Sequence, residues 1–138
     1  MAPDLVVTTM DDDLLSDTHR EELLSACRTT VGDEIRSVTY FTDGGVQQLY
    51  LRSDLDQTAD LVGFAEHERR GFHTQGAYRN TQLGEYEATV RMFEYGYLTR
   101  VLSEDDGVWV TADSMSMERF EELAAALKPI LAEIPVEG

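Results

Sequence analysis

The densest grouping of chemically able residues lies mid-chain, where His67 and His73 stand with Glu66, Glu68, Arg69 and Arg70. Imidazoles beside carboxylates can bind a metal or exchange protons near neutral pH. The spacing argues against a joint site. On a continuous helix residues six apart face opposite sides, and only a bend at Gly71 would reunite them. A solvated helix end followed by a loop histidine fits the pattern better, so no catalytic residue, metal ligand or cofactor is assigned. Arg69, Arg70 and Arg79, with Phe72 and Tyr78, form the one local basic and aromatic cluster. Such a cluster could touch an anion or a phosphate, but in concentrated salt the counterion-release gain on phosphate largely disappears. Pairing with Glu66, Glu68 or Glu85 is therefore the expected use of these arginines, and nucleic acid is not the expected partner. Arg69, Arg70, Phe72, His73, Tyr78 and Arg79 together are the candidate interaction or ligand loop.

Other reactive types read as structure. Cys27 falls on an apolar helical stripe, with no base specified beside it, as a buried thiol would. Asp11, Asp12 and Asp13 lack the spaced ligands and central glycine of a calcium loop. Gly44-Gly45 is a turn, since no glycine-rich phosphate motif or its lysine accompanies it.

These groups sit in a chain of 138 residues with 27 acidic and 11 basic side chains, a formal charge of −16. Lys128 is the single lysine. In molar salt the screening length falls to about 3 Å, which removes most of the self-repulsion such a charge creates. Arginine in place of lysine fits the same setting, because the guanidinium pairs bidentately with the surplus carboxylates. The composition resembles that of haloarchaeal proteins, and the sequence reads like a small haloarchaeal family. One cysteine excludes an internal disulfide and a cysteine-pair zinc site. The acidic start of the chain is unlike a signal peptide, so a cytoplasmic location and no membrane partner are expected.

The elements that must position these residues follow from periodicity. Residues 1–15 read as a loose acidic arm, 16–134 as a single α+β domain and 135–138 as a tail. Ser16, Asp17 and Thr18 offer helix caps, Thr18 with Glu21 forms a capping box, and Leu23, Leu24, Cys27 and Val31 make one stripe closed by Gly32. Glu34 to Phe41 and Val46 to Arg52 flank Asp43-Gly44, a hairpin signal. A second helix is expected from Leu55 to Gly71, then a long polar loop from Phe72 to Gly84. Glu85 to Met92 alternates as a strand with one wet face, Tyr97 to Leu102 resumes after Tyr95-Gly96, and Val108 to Ala112 follows a turn at Asp105-Asp106-Gly107. The aromatics Tyr86, Phe93, Tyr95, Tyr97 and Trp109 are assigned to core packing, any exposed one marking an interface. Ser114 or Ser116 caps a last helix carrying Met117, Phe120, Leu123, Ala124, Leu127 and Leu131, which Pro129 should kink or divide.

The order α-β-β-α-β-β-β-α, with hairpin connections, implies a five-stranded antiparallel sheet with helices on its faces. With glycine turns at Asp43-Gly44-Gly45 and Asp106-Gly107, this order resembles the roadblock/LC7 group of the profilin-like architecture, and departs from it in the polar loop Phe72 to Gly84. The resemblance spans roughly Ser16 to Ile134. It implies a middle helix on one sheet face, terminal helices on the other, and a non-enzymatic homodimer that scaffolds a partner protein or regulates a small GTPase. Two other functions stay open from the residues: a small-ligand sensor with a pocket between the sheet and the Phe72–Gly84 loop, and an enzyme using His67 or His73.

Overall fold

The computed structural model of the chain describes residues 15–42, 45–55, 82–83, 88–103 and 106–135. Helix α1 runs Asp17–Thr30. Its cap is Ser16, whose Oγ accepts from the His19 backbone N–H at 3.2 Å, so Thr18 lies inside the helix and the Thr18–Glu21 box does not form. The first serviceable hydroxyl wins because its backbone is already extended, as an N-cap requires. At the other end the Val31 N–H donates to the Cys27 carbonyl at 2.8 Å, and Gly32 follows at φ +79°, the left-handed conformation that glycine adopts at no steric cost.

A short 3-10 turn, Gly32–Glu34, leads into the sheet: β1 Ile35–Thr42, β2 Val46–Leu51, β3 Ala88–Phe93, β4 Gly96–Leu102 and β5 Asp106–Ala112. The five strands lie in the order β2-β1-β5-β4-β3, with every neighbouring pair antiparallel. The last three strands are the expected meander, and β5 closes the sheet by pairing with β1. Asp106 and Gly107, expected as a turn, are the first residues of β5. Tyr40 Oη donates to the buried Asp106 carboxylate at 2.7 Å, and Ser103 N–H donates to the Asp106 carbonyl at 2.8 Å. Gly107 is there for space: a Cβ would stand 2.6 Å from Phe41 Cζ and 2.7 Å from Leu102 Cδ2.

Helix α2, Met117–Glu133, is capped by Ser116, whose Oγ accepts from the Arg119 N–H. The helix runs unbroken through Pro129, which therefore does not divide it. The carbonyl that proline leaves without its partner belongs to Ala125, an exposed residue on the outer face, where water can take the lost hydrogen bond. Phe120, Leu123, Ala124, Leu127 and Leu131 point inward as their spacing requires, but Met117 does not.

Both helices lie side by side on one face of the sheet, α1 over β1 and β2, α2 over β4 and β5. Between them and the sheet sits the main core, in which Leu23, Cys27, Val38, Tyr40, Val101, Val108, Val110, Leu123 and Leu127 are buried. The opposite face carries a second buried cluster, Phe41, Leu98, Leu102 and Trp109, with the Phe41 and Trp109 rings 5.3 Å apart. Central strand β5 is thus buried on both faces. The helix expected from Leu55 to Gly71, apart from Leu55 itself, and the loop Phe72 to Gly84, apart from Gln82 and Leu83, lie outside the described residues.

Candidate functional site

The loop residues singled out from sequence, Arg69, Arg70, Phe72, His73, Tyr78 and Arg79, lie outside the described residues, as does His67. Among the described residues no group of three or more His, Cys, Asp or Glu side chains is placed to hold a metal. Cys27 is fully buried in the main core, and burial pushes its thiol pKa up to about 12, as expected of a packing residue.

The described residues that stand out lie along β3, the last strand of the sheet. Its side chains alternate between faces. Partners in an antiparallel pair share a face, so Val90 and Met92, in register with Thr99 and Tyr97, lie on the helix-bearing side. Phe93, opposite Gly96, lies on the other. Alternation predicts that the apolar set is covered and the polar set wet. The outcome is reversed towards the hairpin: Val90 is 42% exposed, Met92 78%, Phe93 47% and Tyr95, in the turn, 79%, whereas Thr89 and Arg91 are half-buried. The physical reason is reach. Among the described residues, helix α2 makes its main contacts with the sheet on β4 and β5.

Met117 belongs to the same surface. It is 74% exposed in the first turn of α2, one turn before Phe120, whose ring meets Tyr97 edge-on at 5.4 Å. Tyr97 is in register with Met92, so the strand end and the helix start adjoin through this aromatic pair. Around the hairpin turn lies a cleft of about 330 Å3 lined by Arg36, Phe93, Glu94, Tyr95, Gly96, Tyr97 and Thr111. Gly96 shapes it, since a Cβ there would stand 2.6 Å from the Ala112 carbonyl oxygen. Of the aromatics assigned to the core, Trp109 is fully buried and Tyr97 half-buried, whereas Phe93 and Tyr95 are exposed, against that assignment; Tyr86 lies outside the described residues. Met92 and Met117 were missed because an apolar residue in phase with its element reads as core. The signal that could have found them is the position of β3 at the end of a meander.

The other edge of the sheet is closed by charge. Arg52 Nη1 donates to Asp113 Oδ2 at 2.6 Å and its Nε to Asp54 Oδ1 at 2.7 Å, while Arg36 Nη1 reaches Asp113 Oδ1 at 3.2 Å. The hydrogen bond from Arg52, aided by Arg36, holds the Asp113 carboxyl below the usual carboxylate range despite some desolvation.

Residues 21–132 match a family described as a domain of unknown function (DUF7522). No curated protein matches the sequence. Among solved structures the fold is similar to an MglB "with tetrameric arrangement", at a TM-score of 0.61 and 14% identity over 91% of this chain and 100% of that one. It is similar to the gliding protein MglB of Thermus thermophilus, at 0.61 and 13% over 90% and 99%. It is also similar to Myxococcus xanthus MglB, at 0.55 and 13% over 89% and 97%. At these identities the likeness shows the fold, which is of the roadblock type, and leaves activity to the chain's own residues.

Proposed function

As the chain belongs to the DUF7522 family and has a roadblock-type fold, we propose that it is a non-enzymatic regulatory scaffold acting as a homodimer, with a small GTPase or a protein bound to one as its partner. The observation that carries this is β3, the outermost strand of the sheet among the described residues. Edge strands present unpaired backbone donors and acceptors, and soluble proteins guard them with charge, bulges or cover. Here the edge keeps Val90, Met92 and Phe93 exposed in a chain of formal charge −16, the opposite of a guarded edge. Pairing two β3 strands antiparallel about a two-fold axis would continue the sheet and cover those side chains. The charge supports a working environment of concentrated salt, where association by apolar area persists while charge repulsion is screened.

The test is affinity purification at the salt concentration of the source cells, run in parallel with the Val90→Lys/Met92→Lys variant. The wild type should recover a nucleotide-binding partner that the variant loses. Recovery of the same proteins by both would remove β3 from the account. A second reading, a small-ligand sensor, is favoured by the 330 Å3 cleft beside Phe93 and Tyr95, which is at the lower end of the usual size for small-molecule sites. A purified chain that releases a bound small molecule on denaturation would support that alternative.

A further inference from the structure

Resting on the β3-paired dimer above, we propose that the helix-bearing face of that dimer forms a trough that takes one basic amphipathic α-helix of a partner protein. A two-fold axis perpendicular to the sheet keeps faces together, so both copies of Val90 and Met92 come side by side on the face that carries the helices. Each α2 sits over β4 and β5 of its own copy. From one α2 to the other is then about four inter-strand gaps, roughly 19 Å at the usual strand spacing. Helices pack with axes about 8–10 Å apart, so the space between the two α2 helices holds one more helix.

The walls point to the chemistry of the occupant. On α2 the flank towards α1 is marked by Arg119, whose Nη1 donates to the Val31 carbonyl at 3.1 Å, and by Ala126 and Ile130 in the groove between the helices. At about 100° per residue the opposite flank carries Met117, Glu121 and Lys128. Met117 extends the apolar floor made by Val90 and Met92, and Glu121 stands above it, with Glu118 also exposed in the first turn and Glu94 exposed at the hairpin. Lys128, two turns further on, is half-buried and already engaged. The two-fold doubles the carboxylates, giving an apolar floor between acidic walls, which suits an apolar helix stripe flanked by lysine or arginine.

The test uses three fluorescent 18-residue probes at the lowest KCl concentration that keeps the chain folded by circular dichroism. They are a Lys/Leu amphipathic helix, its Glu/Leu counterpart, and a Lys/Ser peptide of equal charge without an apolar face. Light scattering first fixes the oligomeric state. The expected result is saturable binding of the Lys/Leu probe at one per two chains, with both other probes at least about tenfold weaker. Met117→Lys and Glu121→Lys, both at exposed helix positions, should each weaken that binding by about tenfold or more and leave the dimer intact. A dimer that binds the Lys/Leu and Lys/Ser probes equally, or whose binding ignores both substitutions, overturns the trough and leaves the dimer standing. A monomer overturns both.

Discussion

The two edges of the sheet face the same problem and solve it differently. Strand β2 has no exposed side chain: Leu49 and Gln47 are buried, and Val46, Gln48, Tyr50 and Leu51 half-buried. Its pairing with β1 is broken by a bulge between Val38 and Thr39. Arg20 Nη2 donates to the Leu49 carbonyl at 3.4 Å, and Arg52 ends the strand in a network with Asp54 and Asp113. These are the devices by which natural sheets discourage a further strand. Strand β3 carries the half-buried and engaged Arg91, but no bulge interrupts its described residues. Its register with β4 runs without a shift from Ala88 to Phe93, and its apolar side chains lie in the open. Both are outermost strands, so what separates the two is how their side chains are covered. In the proposed dimer, the edge that is regular and keeps Val90, Met92 and Phe93 exposed, opposite a guarded one, is the place for the second copy.

The strongest way to break this comparison is to guard β3 as β2 is guarded. Val90→Lys/Met92→Lys places charge where a second strand would lie, and desolvating unpaired charge costs several kcal/mol. The dissociation constant of the dimer should rise at least about 100-fold by sedimentation, with the melting temperature of the monomer little changed because both positions are exposed. The matching change at the closed edge, Tyr50→Lys, should do the reverse. Tyr50 packs against the main core, so stability should fall by about 1–2 kcal/mol and the dissociation constant should hold.

Between the edges, Gly107→Ala sharpens the contrast by touching the centre alone. The added methyl would meet the fully buried Phe41 ring and Leu102, and overpacking of this kind costs about 1–3 kcal/mol. Chemical denaturation should show that loss at an unchanged dissociation constant.

The smallest effect belongs to the ion network that closes β2. Asp113 has a folded pKa depressed below its ordinary value of about 3.9. Its contribution is therefore complete above that value and fades as pH falls through the folded pKa. Because the pair is partly exposed and screened, Asp113→Asn should cost less than about 1 kcal/mol at neutral pH. The gap in melting temperature between wild type and variant should narrow as pH falls below the ordinary carboxylate range; a gap that is constant with pH would remove the ion pair from the account.

Much of this architecture was legible in the residues. The stripe through Leu23, Leu24 and Cys27, the strand alternations and the serine caps each follow from local periodicity, and together they give the element order and the antiparallel sheet. What local pattern cannot carry is neighbourhood. Phe93, Tyr95 and Trp109 are aromatic residues of one meander, yet Trp109 is sealed because β5 has strands on both sides and a buried cluster above it, while Phe93 and Tyr95 stand at the outermost described strand and keep much of their surface exposed. Asp106-Gly107 has the sequence of a turn and the place of a strand, because Phe41 needs the space above Gly107. Met117 keeps the helical phase of the core but, as the first residue of its helix, is left exposed. The candidate loop from Arg69 to Arg79 lies outside the described residues and remains a sequence expectation.

The central claim, that β3 is an open edge for a second copy, is tested most directly by light scattering of the wild-type chain across micromolar concentrations, from the lowest folding KCl concentration to molar KCl. The account predicts a dimer that persists in molar KCl, since apolar association is not weakened by screening. A chain that stays monomeric at high micromolar concentration in molar KCl would contradict it.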